Sequence, residues 1–231
     1  MLVAAAVVPH PPLLVPEVSV GAAHETSVMR SVVDSTVAGL LARRPQTVVV
    51  VAAGDAARTQ DDAATPTLAP YGLRSWPGPA RRAPGNDPLG LGHSIGAWLL
   101  DRAGWTGGRR YETVTGDALV LPPGRVALLV TADGSARRSA EAPGHLDPRA
   151  EPFDAVTTRA LAGGDLDALE SIDVGLAEEL WASGATALRT LARTVRTQQG
   201  AAIEARVDHD AAPYGVGYVC ATWTIRVGAE E

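Results

Sequence analysis

The sequence predicts an α/β fold: a three-layer α/β/α sandwich with a central, mostly parallel sheet and a C-terminal hairpin, built as a single domain over residues 1–231. Three observations predict it. Residues 2–8, 47–53 and 125–131 are short, almost continuously apolar runs rich in Val and Ala, the pattern of strands buried on both faces of a parallel sheet. Segments of helical period alternate with these runs. The last part of the chain changes to apolar/polar alternation broken by turn residues, which reads as a closing hairpin. With 231 residues, 46% of them apolar, the chain can bury one sizeable core. No internal repeat and no linker divides it.

Residues 2–8 form the first expected strand, stopped by Pro9-His10-Pro11-Pro12. This apolar start lacks a basic flank and is too short to span a bilayer or to serve as a signal core. Residues 22–41 carry Val28, Val32, Val33, Val37, Leu40 and Leu41 at helical spacing, and residues 47–53 supply the second strand, giving a βαβ unit. Residues 58–87, rich in Pro, Gly, Asp and Arg, read as a long irregular connection over one end of the sheet. Residues 89–102 place Leu91, Ile95, Trp98 and Leu99 on one helical face, ahead of a Gly-rich turn at 104–108. A strand at 111–115 and a strong buried strand at 125–131 follow. The latter ends in Ala132-Asp133-Gly134-Ser135, and in open α/β sheets ligands bind at this carboxyl edge. Residues 151–162, 165–172 and 176–193 are helical by periodicity. Residues 203–207 and 217–227 alternate, with 208–215 as the turn between them.

Composition removes several function classes. A net charge of −6 without a basic block leaves no footprint for nucleic acid or anionic lipid. All 20 basic residues are arginine, which excludes Schiff-base chemistry and a Walker-type lysine. The one cysteine, Cys220, cannot form a disulfide within the chain and does not suggest thiolate-bound zinc, so a cytoplasmic setting is expected. No apolar run is long enough to cross a membrane.

His10 follows a buried strand directly and is held between prolines, a rigid placement that suits a metal ligand or general base. The alternative is a histidine packed in a proline-rich turn. Gly92-His93-Ser94-Ile95-Gly96 matches the Gly-x-Ser-x-Gly nucleophile elbow, which would make Ser94 a hydrolase nucleophile. That motif needs a strand immediately before it, whereas here an amphipathic helix runs straight through. Asp208-His209-Asp210 has a metal-like composition but reads as a solvated hairpin tip, and His24 reads as a helix-start residue.

Val7-Val8-Pro9-His10-Pro11-Pro12-Leu13-Leu14-Val15-Pro16-Glu17 resembles the opening of the LigB-like family, the class III extradiol ring-cleavage dioxygenases. Thr131-Ala132-Asp133-Gly134-Ser135-Ala136, with Pro152-Phe153-Asp154-Ala155 and Leu161-Ala162-Gly163-Gly164-Asp165, resembles that family's Asp-Leu-Ser-His loop and the helical segment behind it. Ala212-Pro213-Tyr214-Gly215-Val216-Gly217-Tyr218 looks like the closing hairpin of its small members. The resemblance implies a non-haem Fe(II) site of two histidines and one carboxylate, an acid/base histidine, and a catechol-type substrate that chelates the iron beside oxygen.

Carried over residue by residue, that set is depleted. His10 matches the first metal histidine. Where the second is expected the chain has Gly54-Asp55-Ala56-Ala57, so Asp55 is the candidate replacement ligand for Fe(II) or Zn(II). Ala136 stands where the acid/base histidine is expected. Ala182 stands at the glutamate position, one helical turn after Glu178 and Glu179. Asp133 and His145, the latter on a loop able to fold over the pocket, are the candidate catalytic residues. Asp55 and Asp133 also read as caps or turn residues after strands, and His145 as an exposed loop histidine. The leading expectation is a LigB-like domain with a depleted metal triad, holding Fe(II) or Zn(II) or no cofactor at all, non-catalytic or repurposed to bind a small molecule, for which an aromatic is the candidate. The alternatives are an active metal-dependent extradiol-type oxidoreductase built on His10, Asp55 and a residue from Asp133 or His145, and a serine hydrolase using Ser94. A homo-oligomer or pairing with another chain is also expected, with Trp76 and Trp181 as candidate apolar contacts.

Overall fold

The computed structural model describes residues 1–19, 26–79 and 87–227. His24 lies outside them, as do the first residues of the expected helix at 22–41 and part of the 58–87 connection. Four parallel strands make the centre of the sheet: β1 (Leu2–Val8), β2 (Thr47–Ala53), β4 (Gly108–Val114) and β5 (Val126–Thr131). Antiparallel strands β3 (Arg58–Asp61), β6 (Ala201–Ala211) and β7 (Tyr218–Val227) extend it, in the order β3-β4-β2-β5-β1-β7-β6.

Both faces are covered, as the unbroken apolar runs require. Alternate residues of one strand enter different cores: Ala4, Ala6 and Val8 pack with Met29, Val33 and Val37 of α1 (Ser27–Leu41) and Ile95 and Leu99 of α2 (Leu91–Arg102). Leu2, Ala5 and Val7 pack instead with Leu161 of α3 (Ala150–Gly163), Leu169 of α4 (Leu166–Glu170) and Leu191 of α6 (Ala185–Arg196). This is the expected three-layer α/β/α architecture with its hairpin, each fully buried Leu or Val contributing roughly 1.5–3 kcal/mol. Among the described residues no helix is long and apolar enough to cross a membrane.

Three local expectations change. The connection at 58–87 is not wholly irregular, because Arg58–Asp61 pairs antiparallel with Arg110–Thr113 of β4 as an edge strand. The helix expected over 176–193 is two helices, α5 (Val174–Glu179) and α6, since Trp181 adopts φ 57 between them, a left-handed conformation that cannot continue a right-handed helix. Finally, β6 runs on to Ala211, with a register shift between Val207 and His209. Asp208-His209-Asp210 therefore belongs to a strand and is not the tip of the hairpin.

Candidate functional site at the carboxyl edge of the sheet

β1, β2 and β5 are parallel neighbours, so the loops after Val8, Ala53 and Thr131 emerge on the same edge. Pro11 enters a 3-10 turn over Pro12–Leu14 at φ −64 and ψ 141, the proline geometry that turns the chain sharply after His10. The His10 backbone N–H donates to Asp133 Oδ1 at 2.8 Å, and His10 Nδ1 lies 3.5 Å from the same oxygen. His10 Nδ1 is buried and makes no hydrogen bond. At that separation its link to Asp133 is electrostatic attraction in a partly buried corner.

The loop carrying Asp133 is fixed from several sides. Gly134 N–H donates to the Gly217 carbonyl at 2.8 Å and Gly217 N–H to the Ser135 carbonyl at 2.8 Å, so the loop continues the sheet beside β7. Gly184 N–H donates to the Asp133 carbonyl at 2.9 Å, and a Cβ on Gly184 would stand 2.6 Å from Ala132 Cβ. Only glycine lets the start of α6 approach so closely. Below the loop, Phe153, Thr157, Ala182, Leu188 and Val219 line a cavity of ≈ 20 Å³, room for one water and not for an aromatic ring.

Two further groups belong to this corner. Tyr218, 5% exposed, pairs with Asp133 across an isolated bridge. Burial pushes its phenol well above the usual value, and the charges of Asp133 and Tyr214 add to the shift. His93, at the start of α2, is 3% exposed and edge-on to Tyr111, with its Nε2 unpartnered. Burial holds its imidazole below the ordinary histidine value. A hydrogen bond to the Glu112 backbone carbonyl opposes that shift, and the charge of nearby His10 reinforces it.

Of the residues expected from sequence, His10 and Asp133 come together. Asp55 is exposed after β2. His145 is exposed, with φ 56 and its Nδ1 3.2 Å from the Ala140 carbonyl oxygen. Glu179 points to Arg149, whose Nη1 donates to its Oε2 at 2.7 Å, and Ala182 faces the small apolar cavity. Among the described residues no three His, Cys, Asp or Glu side chains converge on a point where a metal ion could sit. The donor set implied by the resemblance therefore does not fit here, whether for Fe(II) or for Zn(II).

Ser94 is wholly buried on α2, its hydroxyl donating to the Leu89 carbonyl at 3.3 Å and accepting the Thr67 N–H at 3.1 Å. The glycines around it serve packing. A Cβ on Gly92 would meet Thr131 Oγ1 at 2.5 Å, and one on Gly96 would meet Val50 Cγ1 at 2.4 Å. Spaced by four, both lie on the helix face that rests on the sheet. Sequence reasoning singled out the motif for its serine and passed over His93, whose nearness to His10 follows from that close packing.

No family model and no curated protein matches the chain.

Proposed function

We propose that this chain is a LigB-like domain that binds a small aromatic molecule, of the phenol or catechol class, at the His10 corner without cleaving it. The observation that carries the reading is the pairing of His10 with Asp133 in the absence, among the described residues, of converging metal donors. Asp133 Oδ1 lies 3.5 Å from the unbonded His10 Nδ1, so an imidazole and a carboxylate stand together as acceptors for a ligand hydroxyl. Ring cleavage requires activated oxygen, and in the family that this chain resembles the iron supplies that activation. Ala136 and Ala182 remove the acid/base histidine and the glutamate on which that chemistry depends.

Metal content of protein purified without chelator, compared with a His10→Ala variant, tests the proposal alongside calorimetric titration with catechol and protocatechuate-type acids. The expected result is substoichiometric iron and zinc in both proteins, no ring-cleavage product after Fe(II) addition, and binding weakened about tenfold by His10→Ala, the loss of one good hydrogen bond. Stoichiometric metal that disappears in the variant would overturn it in favour of an altered oxidoreductase centre, and labelling of Ser94 by a fluorophosphonate probe would overturn it in favour of a hydrolase.

A further inference from the structure

The two edges of the sheet differ. β3 is an edge of only 4 residues, whereas β6 is an edge of 11 residues with β7 on one side and, among the described residues, no strand on the other. A long unpaired edge presents a row of free backbone donors and acceptors that invites another strand. Along β6 the side chains alternate. Glu204, Arg206 and Asp208 are exposed on one face, while Ile203, Ala205 and Val207 are half-buried against the core on the other. The apolar row is only partly covered by its own chain.

From this pattern we infer that β6 pairs antiparallel with β6 of a second copy, about a two-fold axis at Ala205, joining two sheets into one. In that register Glu204 of each chain stands opposite Arg206 of the other, and Ile203 stands opposite Val207, so both faces are complementary. The neighbouring registers are not. Centring on Arg206 places arginine against arginine and Glu204 against Asp208, and centring on Glu204 places glutamate against glutamate. Like charges directly opposite destabilise a strand pair, while opposite charges and β-branched pairs stabilise it. Of the registers centred on Glu204, Ala205 and Arg206, the charges on β6 thus favour the one centred on Ala205. The bulge between Val207 and His209 bounds the ladder at one end, as bulges at sheet edges do. The existing ion pairs, Glu204 with Arg226 and Arg206 with Asp208, are exposed and weak enough to rearrange. A two-fold contact of this kind closes at the dimer.

Sedimentation velocity from about 1 to about 100 μM, the range in which a micromolar dimer dissociates, tests the inference. Wild type is expected to dimerise with concentration, and Glu204→Arg or Arg206→Glu alone to weaken the dimer at least about tenfold by opposing like charges. The double variant Glu204→Arg/Arg206→Glu restores opposite charges across the axis and is expected to regain the dimer. Circular dichroism confirms that each variant is folded, and amide exchange at residues 203–207 is expected to slow as concentration rises. A wild type that stays monomeric throughout would overturn the inference. So would single variants that dimerise like wild type, or a folded double variant that does not recover. None of these outcomes bears on ligand binding at His10.

Discussion

The Asp154 carboxylate takes both the backbone N–H and the hydroxyl of Ser135, at 2.8 and 2.6 Å, from a position on α3 that is 7% exposed. Arg138 adds a third donor at 3.3 Å, and Gly134 and Gly217 leave the space, since a Cβ on either would come within 2.8 Å of the Asp154 oxygens. One side chain thereby fastens the loop that presents Asp133 to His10. Replacing Asp154 by Ala strands two buried donors and an arginine, at a cost of about 3 kcal/mol. The expected urea unfolding curve has a lower midpoint with an unchanged slope, and Asp154→Asn is expected to lose less, because its amide oxygen still accepts.

Asp147 gives the acid side of the stability profile a definite sign. Hydrogen bonds from the Arg149 side chain and backbone hold its carboxyl down to about 2, against an ordinary 3.8. Because the folded value is depressed, the contribution is fully present above 3.8 and is lost as pH falls towards about 2. Asp147→Asn, which lacks that contribution at every pH, is therefore expected to melt lower than wild type near neutrality and to converge on it as pH falls across that window, so that its decline is flatter. A decline as steep as that of wild type would mean that other carboxylates govern the acid limb.

What the sequence made legible follows burial. β1 and β2 have the boundaries read from their apolar runs, because a strand covered on both faces admits few polar residues. β3 was hidden for the opposite reason: of Arg58, Thr59, Gln60 and Asp61 only Gln60 is buried, and a polar edge strand has no apolar signature. The break after α5 falls at Trp181, where a left-handed backbone carries no glycine to announce it. At the site, His10 and Asp133 were visible as strand-end residues, each readable alone. Their 2.8 Å hydrogen bond and the proximity of His93 depend on how distant segments dock, which local spacing does not encode.

Gly92→Ala sets two effects of known size against each other. Alanine is a better helix former by about 1 kcal/mol. The new Cβ, however, would meet Thr131 Oγ1 at 2.5 Å and Ala52 Cβ at 2.9 Å, on the ends of two packed strands, and overpacking of this kind costs about 1–3 kcal/mol. The clash is two-sided and the neighbours are short side chains on a sheet, so it prevails. Thermal unfolding is expected to show a lower melting temperature for Gly92→Ala, whereas Gly163→Ala, in the last turn of α3 with open space around the added methyl, should not fall below wild type. A stabilised Gly92→Ala would mean that α2 moves away from the sheet freely.

Cys220 provides an independent reading of how tightly the β1–β7 seam is closed. It lies in β7, wholly buried, where burial pushes the thiol up to about 12 despite a hydrogen bond with Thr36. At pH 8 a thiol with that value is ionised to only about one part in 10⁴, and thiolate is the form that attacks disulfide reagents. Both access and ionisation therefore depend on opening the sheet. Native protein is expected to resist labelling by an aromatic disulfide reagent, and in rising urea the labelling rate should follow the population of open forms measured by circular dichroism. Rapid labelling in water, without loss of secondary structure, would show that β7 separates from α1 well below the global unfolding free energy.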